Sequence, residues 1–529
     1  MAIDRRSFLR ASAAQAALAG VAVGTGVAGC ARHPGAPPVE SGTNPFQHGV
    51  ASGDPQADRV ILWTRVSPLV DRIGEPIETH WWISRDALGL EVLKGGVVEA
   101  RPERDYTLKL DPDGLEPGTD YYYGFMTHSG LSPIGRTRTL PARGADHIRM
   151  GIVSCSNYPQ GFFNAYACIA LRDDLDVVLH LGDYLYEYGE GEYGKGAELA
   201  RIPDPDHEIV RLEDYRRRHA TYKADSDLQA AHARYPWITV WDDHESTNNS
   251  WKGGAENHNE GEGDWQERKL AAIRAYYEWM PVRELPTQLF RIFRFGDLVD
   301  LIMLDTRLQG RDARAAGDDH AAARDPSRSM LGAEQTGWFL DALSESKAAQ
   351  TTWRVVGQQV VFSPMTDGIG SFNPDAWDGY RANRRQVLDH LSDNAIDDVV
   401  FLTGDVHSSW AFDVPPPLSS QDSYDPLTGR GARAVEFVSP AVSSPALGSS
   451  PRAVEFFAGV QEIAPHLKFV NLEEHGFVIL DLDRERARGE FVFTDSVRTR
   501  SNRYRCGPAF ETLSGSNHLS QVDPGACLP

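Results

Sequence analysis

With 529 residues, 53 basic and 75 acidic side chains and a net charge of −22, the chain exceeds a single small binding module, and its field repels a nucleic-acid backbone. Its 41% hydrophobic and 10% aromatic content excludes an intrinsically disordered protein and supplies a core for two or more domains, or one large elaborated one. Five cysteines (Cys30, Cys155, Cys168, Cys506 and Cys527) are too few for a disulfide scaffold and lack the paired spacing of a structural zinc site.

Residues 1–30 read as a targeting leader, with a charged start around Arg5-Arg6 followed by an Ala/Gly/Val run that lacks the Leu/Ile bulk of a permanent span. Arg5-Arg6 with Phe8-Leu9 resembles the twin-arginine export signal, which implies the twin-arginine machinery as a partner and a periplasmic or cell-surface address. That route carries proteins already folded, which suits one that takes up a metal beforehand. Val27-Ala28-Gly29-Cys30 also fits the pattern at which bacterial lipoproteins are cut, leaving two options: a lipid anchor at Cys30, or simple cleavage nearby. Residues 31–44, rich in Pro, Gly and Ser, read as a flexible linker.

Residues 45–142 alternate apolar and polar side chains in short runs separated by turns such as Asp111-Pro112-Asp113-Gly114, the pattern of a small antiparallel β-sandwich. From 144 to 500 the texture changes. Strands are expected at 148–153, 176–181, 237–241, 298–304, 355–361 and 398–403, with helices at 162–172, 212–234, 264–279, 333–345 and 379–393 between them. Further strands are expected at 434–438, 477–482 and 489–493. This is a layered α/β pattern. Residues 501–529 read as a C-terminal tail in which Cys506 and Cys527 either pair or stay free, and Cys168 reads as core.

Polar residues gather where the expected strands stop: Ser154-Cys155-Ser156-Asn157, Gly182-Asp183-Tyr184-Leu185-Tyr186-Glu187, Asp242-Asp243-His244-Glu245 and Gly404-Asp405-Val406-His407. Ligands in α/β sheets collect at the carboxyl ends of strands. Any one of these residues could be a cap or a core group, and Tyr184, Tyr186 and Tyr188 could be an aromatic stripe. Four such clusters in register point to a site. Asp183 is placed to bridge two cations. Cys155 and Tyr186 are anionic donors suited to a trivalent, redox-capable metal such as ferric iron, while Asp243 and Asp405 suit a hard cation such as calcium.

These segments resemble the PhoD-type alkaline phosphatase/phosphodiesterase family of the metallophosphatase superfamily. So do Gly49-Val50-Ala51-Ser52-Gly53-Asp54-Pro55, Leu62-Trp63-Thr64-Arg65, Leu304-Asp305-Thr306-Arg307, Gly357-Gln358-Gln359, Trp377-Asp378-Gly379-Tyr380 and the extension Ser408-Ser409-Trp410. The resemblance implies a four-layer αββα catalytic domain behind the β-sandwich, holding one Fe(3+) and two Ca(2+). It implies Cys155, Asp183 and Tyr186 as ferric ligands, Asp243 and Asp405 with Asp183 in the remaining metal shell, and His407 as a metal or phosphate contact. His244 takes the place of a catalytic histidine. Arg307 and Arg381 are catalytic candidates at the phosphate, with Asn157 and Asn248 behind them.

The expected reaction is hydrolysis of a phosphate ester, mono- or diester, by metal-activated water. The chain has no Gly-x-Ser-x-Gly elbow and no Walker loop. The alternatives are a phosphodiesterase or phospholipase D-like enzyme acting on lipid or cell-wall polymers, and a non-catalytic surface metal-binding protein.

Overall fold

Alternation in the first third of the chain yields short strands: β1 (Val50–Gly53), β2 (Ile61–Arg65), β3 (Ile77–Ser84), β4 (Val92–Ala100), β5 (Thr107–Leu110), β6 (Asp120–Thr127), β7 (Gly130–Leu131) and β8 (Gly135–Arg138). The computed structural model describes residues 35–285, 288–315, 320–365, 373–416, 424–451, 453–455, 457, 460, 464–525 and 527. The leader, with Arg5, Arg6 and Cys30, lies outside the described residues. β3, β4, β6, β7 and β8 make one antiparallel sheet. Its Ile83, Tyr121, Tyr123 and Phe125 share a core with Val50, Leu62 and Leu108 of β1, β2 and β5.

That pair of layers is not freestanding. β9 (His147–Val153), β10 (Val177–His180) and β11 (Pro236–Thr239) run parallel at the centre of a ten-stranded sheet, and β1 adds in parallel to β11 with Ser52 opposite Pro236. β1, β2 and β5 therefore form one end of the large sheet rather than half of a separate sandwich. All four residues of β1 are buried, so its outward backbone groups need a partner, and β11 supplies it.

A seven-stranded sheet follows: β12 (Arg291–Phe295), β13 (Val299–Met303), β14 (Trp353–Gly357), β15 (Val399–Thr403), β16 (Ser409–Val414), β17 (Ala434–Val438) and β18 (Leu467–Asn471), in the order β12-β13-β14-β15-β17-β16-β18. β19 (Gly476–Asp483), β20 (Arg486–Thr494), β21 (Tyr504–Leu513) and β22 (Ser520–Val522) complete the ten-stranded sheet beyond β9. The helices that matter to the site and core are α1 (Asn164–Leu171), α2 (Leu212–Lys223), α3 (Ser226–Arg234), α4 (Trp265–Trp279), α5 (Gly332–Ala348) and α6 (Arg381–Asp393).

The two-residue period of a strand sorts the apolar side chains. Leu301, Met303, Val355, Val400 and Leu402 share a core with Leu179 and Ile479 of the ten-stranded sheet. Ile302, Val356 and Phe401 pack instead with Phe339 and Leu343 of α5 and Val387 and Leu388 of α6. Each such side chain contributes roughly 1.5–3 kcal/mol by leaving water, so the facing sheets are held chiefly by this core.

Three expectations change. The helix expected over 212–234 is two helices, because Asp225 caps α3, its side chain accepting from the N–H groups of Asp227 and Leu228. Part of the expected linker is seated: Ala36 is fully buried, its N–H donating to Asp105 Oδ2 at 3.3 Å and its carbonyl accepting from Arg65 at 2.9 Å. Part of the expected tail is sheet, β21 pairing with β20 and β22 with β21.

Cys506 on β21 is bonded to Cys527, with Cα atoms 5.6 Å apart. The Cys527 N–H donates to the buried Glu490 at 2.8 Å, and its carbonyl accepts from Arg172 at 3.1 Å. Closing a 21-residue separation constrains the unfolded chain, so Cys527→Ser should cost about 2–4 kcal/mol. Thermal unfolding without reductant should show a lower Tm for the variant, and reductant should remove most of the difference; equal Tm values without reductant would contradict this.

Candidate metal centre

The polar residues sit on sharp turns where strands of both sheets end. Cys155, Asp183, Asp405 and His407 all take left-handed backbone conformations, with φ of 60°, 56°, 67° and 51°. Such conformations cost non-glycine residues about 1–2 kcal/mol each, and here they turn side chains from separate strands toward one point. Backbone bonds lock the turns together: Cys155 N–H to the Gly182 carbonyl at 3.1 Å, Ser156 N–H to Asp183 at 2.9 Å, and Val442 N–H to Ser154 at 2.9 Å. Gly182, at φ 111°, lies so near the next turn that a Cβ would come within 2.4 Å of the Asp242 Cβ.

The result is three overlapping sets of donor atoms, each within 4.8 Å: Cys155, Asp183 and His407; Asp183, Asp243 and His244; and Asp242, Asp243 and Asp405. Asp183 belongs to two sets and Asp243 to two. The Tyr186 phenol joins the first, 3.0 Å from Asp183 Oδ2 and 3.0 Å from His407 Nε2, and accepts from Ser444 Oγ at 2.7 Å.

His244 is held on its outer side. Its Nδ1 is 2.7 Å from Glu187 Oε2, and its ring centroid is 4.2 Å from that of Tyr186 and stacked 6.3 Å from that of Tyr193. Glu187 is itself fixed by the Asn248 N–H at 2.7 Å and Thr247 Oγ1 at 3.1 Å. Burial works against a charged imidazole, but Asp243, Glu187 and Asp183 outweigh it and hold the His244 pKa well above the ordinary range.

Arg307 is a second cationic side chain among the carboxylates, with no exposed surface. It bonds Asp242 and Asp375, donates to Asp405 Oδ1 at 2.8 Å, and stands 3.7 Å from Asp243. One guanidinium does not neutralise the set. Burial raises the Asp405 pKa to about 7, with repulsion from Asp375, Asp243 and Asp183 adding to it. Burial also pushes the Cys155 thiol and the Tyr186 phenol well up, the Asp183 charge adding in both cases.

Within the three donor sets two buried carboxylate oxygens, Asp183 Oδ1 and Asp242 Oδ2, have no hydrogen-bond partner among the described residues. Buried acceptors of this kind are ordinarily satisfied, and cations would satisfy both atoms and the excess negative charge together. The donor set therefore fits metal ions, with thiol, phenol and imidazole on one side and carboxylates on the other.

Of the sequence-predicted residues, Cys155, Asp183, Tyr186, Asp243, His244, Asp405 and His407 are brought together. His244, expected as a catalytic histidine, is also close enough to Asp183 and Asp243 to enter the metal shell. Arg307, expected at the phosphate, is committed to four aspartates. Arg381 donates to the Asp378 carbonyl at 3.1 Å within its own turn. Asn157 spends its side chain on the Tyr193 carbonyl and the Gln160 N–H, a structural use. Asn248 reaches the site through its backbone.

Sequence reasoning did not single out Asp242, Glu187, Glu245, Asp375 or Ser444. The first three lie inside the strand-end segments and were findable there. Asp375 and Ser444 come from loops distant in sequence and carry no local signal.

The chain matches the family model described as PhoD-like phosphatase over residues 150–491, and the one described as PhoD-like phosphatase, N-terminal domain, over residues 29–141. It is 37% identical over 498 residues to alkaline phosphatase D of Bacillus subtilis (strain 168), covering 90% of this chain and 82% of that protein. A solved structure described as that of PhoD superposes with a TM-score of 0.82 at 33% identity, covering 93% of this chain and 94% of that one.

Removing Arg307 leaves the buried aspartates without their guanidinium. Arg307→Met should therefore destabilise metal-free protein by about 3–5 kcal/mol, and added calcium should recover much of the loss. Thermal unfolding with and without calcium reads this; a variant as stable as wild type in the metal-free state would contradict it.

Proposed function

The chain belongs to the PhoD-like phosphatase family, and from that premise we propose that it is an exported, metal-dependent hydrolase of phosphate esters acting at the strand-end cluster. The observation that carries the reading is the convergence of Cys155, Asp183, Tyr186, Asp242, Asp243, Asp405 and His407 around two unpartnered carboxylate oxygens. The two facing sheets with helices outside them are read as a four-layer αββα stack. Export by the twin-arginine route, with an anchor at Cys30, is part of the proposal and rests on the leader sequence.

Ferric iron suits the thiol, phenol and carboxylate of Cys155, Tyr186 and Asp183, and calcium suits Asp242, Asp243 and Asp405. When bound, such cations supply positive charge for phosphoryl oxygens and make water a nucleophile at neutral pH. The chain's own residues do the rest. Asp183 joins the two sides of the site. Glu187 fixes one nitrogen of His244, leaving Nε2 to hand a proton to the departing ester oxygen. Arg307 holds Asp242 and Asp405 in place. Tyr188 and Tyr193, packed on each other and on His244, line one side of the site and hold the imidazole ring.

A panel of phosphomonoesters and phosphodiesters tests the function, and His244 tests the mechanism. His244→Ala should retain its metal and lose roughly 10²–10⁴ in kcat. Metal content measured beside kcat separates the outcomes: a metal-free variant makes His244 a ligand, and a fully active one makes it structural.

A further inference from the structure

Glu245 has no part in the chemistry above, yet it sits at the middle of it. It lies three residues beyond Asp242 on the turn after β11 and is 2% exposed. Its Oε2 accepts from the backbone N–H of Asp242 at 2.8 Å and of Asp183 at 3.1 Å, and its Oε1 accepts from the N–H of Tyr184 at 2.6 Å. Two of those donors belong to the turn after β10 and one to the turn after β11. A single carboxylate thus ties together the two turns that carry Asp183, Asp242 and Asp243.

The same junction shows a second, independent constraint. A Cβ on Gly182 would lie 2.6 Å from the Asp242 backbone nitrogen, so the two turns touch with no room for a side chain between them. The far side of the first turn is also fixed, since the Tyr184 hydroxyl lies 2.9 Å from His232 Nε2, which in turn is 3.1 Å from the buried Lys223 amine. Lys223 packs 4.6 Å over the ring of Trp63 on β2. The Asp183 turn therefore cannot drift to relieve a change at Glu245 without disturbing this packed framework.

We propose that Glu245 is a positioning residue that sets the distance from Asp183 to Asp242 and Asp243, and with it the spacing of the cation positions those carboxylates would hold. The proposal rests on the metal-centre reading above. Both Glu245 oxygens are spent on backbone donors, so its role is to hold ligands and not to be one. Counting acceptors shows why a carboxylate is needed. An amide of the same shape offers one accepting oxygen and one donating NH2 group. Whichever way Gln is turned, its NH2 meets either the Tyr184 N–H or both the Asp183 and Asp242 N–H groups, and the junction opens. Partners that orient metal ligands in this way typically account for 10–100-fold in metal affinity.

The test is calcium titration of metal-stripped protein by calorimetry, with circular dichroism and thermal unfolding to establish that each variant is folded. Glu245→Gln should bind calcium at least about 10-fold more weakly than wild type. Its phosphatase activity should fall and then be regained as calcium is raised. Should that variant fail to fold, Glu245→Asp, which keeps both oxygens and withdraws them by one methylene, is expected to weaken calcium binding in the same direction. A folded variant that binds calcium with wild-type affinity while its Tm falls would overturn the proposal and leave Glu245 as a stabilising residue only. Wild-type protein that neither binds calcium nor hydrolyses a phosphate ester would overturn the metal-centre reading instead.

Discussion

Four aspartates, the buried Asp183, Asp242 and Asp243 and the half-buried Asp405, are forced within a few ångströms of one another by the ends of three strands, and their mutual repulsion is the constraint the rest of the structure answers. Two unit charges 4 Å apart near a protein surface repel by about 4 kcal/mol, so several such pairs would rival the whole stability of a domain. Arg307 offsets part of this, which explains why a guanidinium with no exposed surface contacts four carboxylates. The remainder calls for cations. A chain with a net charge of −22 that serves an anionic phosphate ester would then present a locally positive site at this point.

The architecture makes that concentration of charge tolerable. Facing sheets with a shared apolar core hold their strand ends rigidly, and the left-handed turns at Cys155, Asp183, Asp405 and His407 store backbone strain that the core sustains. The N-terminal strands take part in this support. β1 pairs with β11, which leads directly into Asp242 and Asp243, and Trp63 of β2 backs Lys223, His232 and Tyr184 behind the Asp183 turn. A role in stiffening the site fits a segment with no catalytic groups of its own.

Strand ends were the legible part of the site, because a polar residue after an apolar run is visible without any knowledge of which strands are neighbours. Cys155, Asp183, Tyr186, Asp243, Asp405 and His407 all appear that way, and they do converge. Arg307 also follows a strand, but only the folded chain shows that its charge is spent on aspartates from three other segments. Asp375 and Ser444 reach the cluster through tertiary contact alone. Glu245 was in plain view beside His244, but accepting backbone N–H groups leaves no mark on spacing. The same limit applies to the fold: alternation revealed the strands of the first third, whereas the parallel joining of β1 to β11 depends on a partner 184 residues away. Composition suggested a loose linker and tail, yet Ala36 is clamped by Arg65 and Asp105, and β21 is a full strand of the large sheet.

The central claim is that this cluster is a metal centre on which hydrolysis depends. It is tested most directly by elemental analysis and visible spectroscopy of protein purified after native export, with phosphatase activity measured on the same sample before and after chelation. The account predicts iron and calcium in the protein, a visible charge-transfer band from the Cys155 and Tyr186 donors, and loss of activity when calcium is withdrawn while the band persists. Colourless, metal-free protein that hydrolyses phosphate esters at the full rate would contradict it.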